Sequence, residues 1–156
     1  MAFNRQLVEA KLALSRIGPD EMPALAWDAL EAGLDGVAIR RLAALINASG
    51  WEVDQIMPVF MREAGLAVLS KKEASIRLAR HLAHRILSNG LDPVNHTRDF
   101  ELLSIEADYP AELQEAGCLD DERYLAESGL RTEKEFREYA RGVLEKLALD
   151  ENASGG

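Results

Sequence analysis

The sequence is short of almost everything that would announce a chemistry. A single cysteine, Cys118, stands among 156 residues, so no intrachain disulfide can form. Such cysteine use suits a reducing cytoplasm, which is the expected location. No apolar run approaches the ~20 residues of a membrane span. The opening Met1-Ala2-Phe3-Asn4-Arg5 lacks the apolar stretch of a secretory signal, so no membrane association is expected. No segment alternates β-branched with polar residues, which leaves no pattern for a sheet. The phosphate-cradling G-x-x-x-x-G-K-S/T, the dinucleotide-binding G-x-G-x-x-G and the zinc-binding H-E-x-x-H are all missing. No cofactor, no resident metal and no catalytic residue are therefore expected, and an enzyme is disfavoured.

Bases are missing too, from one place. Hydrophobic residues make up 47% of the chain and charged residues 29%, which are globular values, and the net charge is −9. Residues 1–96 balance 11 Lys+Arg against 11 Asp+Glu, whereas residues 97–156 set 7 against 16, so the whole imbalance lies in the last third. Within it, Asp99, Glu101, Glu106, Asp108, Glu112, Glu115, Asp120, Asp121 and Glu122 follow one another with no intervening Lys or Arg. Clustered carboxylates on one outward patch repel nucleic acid and attract a basic protein.

What is present is helical periodicity. Apolar residues recur at three- and four-residue steps in Phe3–Leu14, Met22–Leu30, Ile39–Ile46, Val53–Ala64 and Phe136–Leu147. Gly33, Gly65 and Asn89-Gly90 supply stops, and Asp35 is placed to cap the third helix. Ser49 with Glu52, Ser70 with Glu73, and Thr132 with Glu135 read as capping boxes. Asp92-Pro93 restarts a helix with proline at its first position, and Pro58 should kink the fourth. The apolar set Ala74, Ile76, Leu78, Ala79, Leu82, Ala83, Ile86 and Leu87 covers more than half a circumference, which marks the most buried helix. Trp27 and Trp51 sit at helical spacing and are expected in the core. The pattern predicts an all-α, compact single-domain bundle of about seven or eight helices around a central helix near 71–88. It has no sheet, spans residues 1–149, and ends in a disordered tail, 150–156.

The run Ala29-Leu-Glu-Ala-Gly-Leu-Asp-Gly-Val-Ala-Ile-Arg-Arg-Leu-Ala43 resembles the motif A-L-E-x-G-x-D-S-x-x-L-R-x-L-A of a family of small bacterial helical proteins of uncharacterised function. Arg62-Glu63-Ala64-Gly65-Leu66, Ile86-Leu87 and Pro93 look similar as well. The chain departs from the motif at Gly36, where the pattern has serine. The resemblance implies a bacterial source and a helical fold, and it implies no activity.

Several residue sets have the composition of a site. His81 and His84 lie three apart, but zinc needs further ligands and three arginines surround the pair. Cys118 stands among Asp120, Asp121 and Glu122, a neighbourhood that disfavours the thiolate a nucleophile needs. Ile39–Ile46 and Trp51–Ala64 can be drawn as a helix-turn-helix, yet Glu52 and Asp54 would open its recognition helix against phosphates, so no nucleic acid is expected. Arg77, Arg80 and Arg85 form a basic strip that could hold an anion or pair with the acidic segment. The leading expectation is a non-catalytic, immunity- or antitoxin-like module that binds a basic protein. Its surface would comprise the nine acids together with Tyr109, Leu113, Leu119 and Tyr124 as anchors. The alternative is a small-molecule or anion-binding bundle, enzymatic or not, that uses the arginine strip.

Overall fold

The structure, a computed structural model, describes residues 3–149; the expected tail, 150–156, lies outside them. Every regular element among the described residues is helical, and no strand occurs. Eight helices have seven or more residues, and three 3₁₀ turns and one four-residue helix join them. None of these helices is long and apolar enough to cross a membrane. The chain divides into two compact units, residues 3–70 and 71–149.

Unit 1 holds α1 (Arg5–Ala13), α2 (Met22–Glu31), α3 (Val37–Ala43) and α4 (Gly50–Glu63). Val8, Met22, Ala26, Ile39, Leu42, Val53, Ile56 and Phe60 form its core. Asn4, not flagged by the periodicity, caps α1 by accepting from the Leu7 N–H. The first helix ends at Ala13 with Leu14 as its C-cap, and Ser15 beyond it takes the left-handed conformation. α4 runs unbroken through the exposed Pro58. Three side chains assigned to the core are not in it. Ile46 lies beyond the end of α3, and Trp27 and Trp51 are more than half exposed.

The start of α3 corrects another expectation. Its N-cap is Gly36, and Asp35 binds the Gly36 N–H and the Arg40 guanidinium. The first-turn donors go to Glu63, whose carboxylate accepts from the Ala38 N–H at 3.2 Å and the Ile39 N–H at 3.0 Å. A Cβ at position 36 would stand 2.2 Å from Glu63 Oε2. Glycine in place of the motif's serine therefore admits a cap from a distant residue, and the helix end keeps its anion. A second carboxylate acts likewise: buried Glu9 accepts from the Ala67 N–H at 2.8 Å and ties the segment after α4 to α1.

Unit 2 holds α5 (Lys71–Ser88), α6 (Thr97–Glu106), α7 (Gln114–Gly117), α8 (Leu119–Glu127) and α9 (Glu133–Leu149). α5 packs on α9 and α6, and α6 packs on α7 and α8. Its start, its length and its buried face follow the apolar pattern, with Ala74, Ile76, Leu78, Ala79, Ala83 and Ile86 buried. Asp92 caps the turn that opens at Pro93, and Thr132 caps α9 by accepting from the Glu135 N–H. Ile105 on α6 and Tyr139 on α9 are exposed.

Candidate functional site

The acidic segment lies wholly in unit 2, and it is not the bare patch that composition suggested. Glu101 pairs with Arg98 at 2.8 Å, Glu115 with Lys146 at 3.0 Å, Glu122 with Arg131 at 3.2 Å and Glu112 with Lys72 at 3.6 Å. Asp99 faces His96 Nδ1 at 3.2 Å. The Glu112 carboxyl is held below the usual range, first by its own backbone N–H and then by Lys72 and Arg80. Glu106 also has an interaction partner. Asp108 and Asp121 are exposed and make no ion pair among the described residues.

Three residues expected on the outer surface are inside. Leu113 and Leu119 are each 1% exposed and belong to the core of unit 2. Asp120 is 8% exposed and accepts a 2.8 Å hydrogen bond from the Thr97 hydroxyl, with Arg123 at 3.7 Å. A one-residue step around α8 separates it from exposed Asp121, so adjacent acids have opposite surroundings. Tyr124 does face outward, with the Arg123 guanidinium 5.9 Å from its ring.

What unit 2 builds from the segment is a cleft of about 550 Å³. One wall is α6 through Glu101 and Ser104; the others are α7 through Gln114 and Gly117, and the start of α8 through Asp121. Tyr109 stands at its margin, 69% exposed. The cleft lining contains two carboxylates and no Lys, Arg or His. Cys118, the lone thiol, is exposed in the same lining.

The backbone at Tyr109 is unusual. α6 ends with the Asp108 N–H bonded to the Ile105 carbonyl at 3.0 Å and the Tyr109 N–H bonded to the Ser104 carbonyl at 2.8 Å. This is the Schellman pattern, and glycine normally takes its left-handed position. Here Asp108 (φ 60°) and Tyr109 (φ 55°) both adopt that conformation. A bulky residue there is a steric outlier, and one that precedes a proline is ordinarily extended. The segment holds a strained tyrosine outward although its ring buries little.

Close helix packing forms the floor. A Cβ on Gly117 would lie 2.8 Å from both Ser104 Cβ and Oγ, so only glycine lets α7 approach α6 here. Ser104 and Gly117 carried no sequence signal beyond being small. Tyr109, Glu101 and Asp121 were candidates from the sequence, and the fold brings them into one cleft.

The remaining candidates do not converge in this way. Arg77 and Arg80 are half-buried on α5 and Arg85 is exposed; at about 100° per residue, Arg80 and Arg85 point about 140° apart. Arg77, His81 and His84 all have interaction partners. No group of three or more His, Cys, Asp or Glu among the described residues is disposed to hold a metal ion. In unit 1, a trough of about 560 Å³ is floored by Phe3, Leu7, Val8 and Leu25. Its rim mixes Lys11 and Arg16 with Asp20, Glu21 and Asp28, charges of both signs. The chain matches no protein-family model, no curated protein and no solved structure.

Proposed function

We propose that this chain is a non-catalytic protein-binding module that docks a basic partner at the Tyr109 cleft of unit 2. One observation carries the reading: a concave site walled by Glu101 and Asp121, without a cation in its lining and with an exposed tyrosine at its margin. Tyrosine gives a large, rigid contact at low entropic cost and is enriched among binding hot spots. Carboxylates at the rim steer a basic partner toward it. The strained backbone of Tyr109 supports the reading, because a conformation that lowers stability is retained where the residue contributes something else. The source, location and role that go with it are bacterial, cytoplasmic and immunity- or antitoxin-like. The wider surface first assigned shrinks to the acids and aromatics that reach solvent, since Leu113, Leu119 and Asp120 are buried.

The test is capture from the native cell extract on immobilised protein at low and high salt. The expected result is a basic protein held at low salt and released at high salt, as screening weakens the steering charges. Tyr109→Ala and Asp121→Lys should each abolish capture, whereas Arg85→Ala on α5 should not. A partner whose capture ignores both cleft variants, or no partner at either salt, defeats the proposal.

A further inference from the structure

The cleft has a floor as well as a rim, and the floor names a ligand chemistry. Ser104 is 4% exposed, and its side-chain hydroxyl makes no hydrogen bond among the described residues. Its neighbour across the helix contact is Gly117, where a Cβ would lie 2.8 Å from the Ser104 Oγ. Both residues line the cleft. The Ser104 hydroxyl is a polar group without a protein partner among the described residues, in a cleft lined also by Glu101, Gln114 and Asp121.

We infer that the cleft receives the guanidinium of an arginine side chain, with Glu101, Ser104 and Asp121 as acceptors and the Tyr109 ring as its stacking surface. The inference rests on the docking reading for where the arginine comes from, a basic partner, but its chemistry stands on the cleft alone. Arginine fits better than lysine for two reasons. Acceptors on separate walls match a planar fork of several donors more closely than a compact ammonium, and a flat cation stacks on an aromatic face. Asp121 has no competing cation among the described residues, and Glu101 is already held at the rim by exposed Arg98. Ser104 supplies a further acceptor from the floor, on a side chain that has no partner of its own among the described residues.

Cys118 gives a built-in reporter, since it lines the same cleft and is the only thiol in the chain. The experiment measures the rate of Cys118 alkylation by N-ethylmaleimide at constant ionic strength. Three probes are compared: N-acetyl-arginine amide, N-acetyl-lysine amide and the neutral isostere N-acetyl-citrulline amide. The arginine probe should protect saturably, by about threefold when present at twice its dissociation constant. Citrulline should give no protection and lysine much less. Asp121→Asn should raise the unliganded rate, because it removes a negative charge beside the thiol. In both Asp121→Asn and Ser104→Ala the protection factor, taken against each variant's own unliganded rate, should fall. Equal protection by citrulline or lysine, no protection by arginine, or full protection in both variants overturns the inference. The two proposals separate cleanly. Tyr109-dependent capture of a protein with no arginine protection keeps the docking surface and removes the guanidinium site. Arginine protection with no captured protein does the reverse.

Discussion

The two units use their carboxylates differently. In unit 1, Glu9 and Glu63 turn inward to backbone N–H groups 58 and about 24 residues away, and they fasten segments that have no other cap. In unit 2, most acids of the 99–122 run meet Lys, Arg or His side chains or stay in water, and Asp120 alone turns inside to Thr97. The same residue type thus serves as a structural acceptor in one unit and as surface charge in the other. Net charge along a sequence does not tell these apart; the partner of each carboxylate does.

That contrast can be broken at its exception first. Thr97→Val should remove the hydroxyl that serves buried Asp120 and cost about 2 kcal/mol, since hydrogen bonds to charged groups contribute most. Urea unfolding at neutral pH measures it, and a cost near zero would place Asp120 with the solvated acids. Next, Glu63→Ala should cost about 1 kcal/mol by uncapping α3. Gly36→Ser should evict the Glu63 carboxylate and replace its cap locally, so the serine variant should be near neutral. In that background Glu63→Ala should cost almost nothing, and a double-mutant cycle with no coupling would contradict the remote cap.

A third substitution has the opposite sign. Tyr109→Gly should stabilise unit 2 by up to about 1 kcal/mol, because glycine accepts the left-handed conformation that tyrosine resists. The smallest effect concerns pH. The Arg137 guanidinium beside Asp92 holds the Asp92 carboxyl below its ordinary value. A folded-state value below the unfolded one gives stability that is complete above the ordinary carboxylate range and is lost as pH falls through the lowered value. Arg137→Ala should therefore lower the melting temperature slightly at neutral pH and not at about pH 2. The pair is largely solvated, so the difference is modest.

Much of the fold was legible because it is local. The apolar stripe of α5, the glycine stops and the Ser49 and Thr132 caps each depend on residues within one or two turns. What could not be read is non-local. Asp35 looked like the cap of α3 because nothing in the sequence announces that Glu63 returns to that helix end. Trp27 and Trp51 fit an apolar spacing, but periodicity does not say which helix faces find a neighbour. The cleft was half visible. Its acids and Tyr109 stand out in composition, whereas Ser104 and Gly117 matter only because α6 and α7 touch there. The arithmetic of charge also overstated the site, since Lys72 and Lys146 approach the acids from distant parts of the chain and Arg131 from just beyond α8.

The most direct measurement is the affinity of Tyr109→Gly for the captured basic partner at low salt, read beside its thermal stability. The account requires affinity to fall by about tenfold or more, as expected for a hot-spot aromatic, in a protein at least as stable as the original. Unchanged affinity in that well-folded variant would show that the tyrosine is held outward for some reason other than binding.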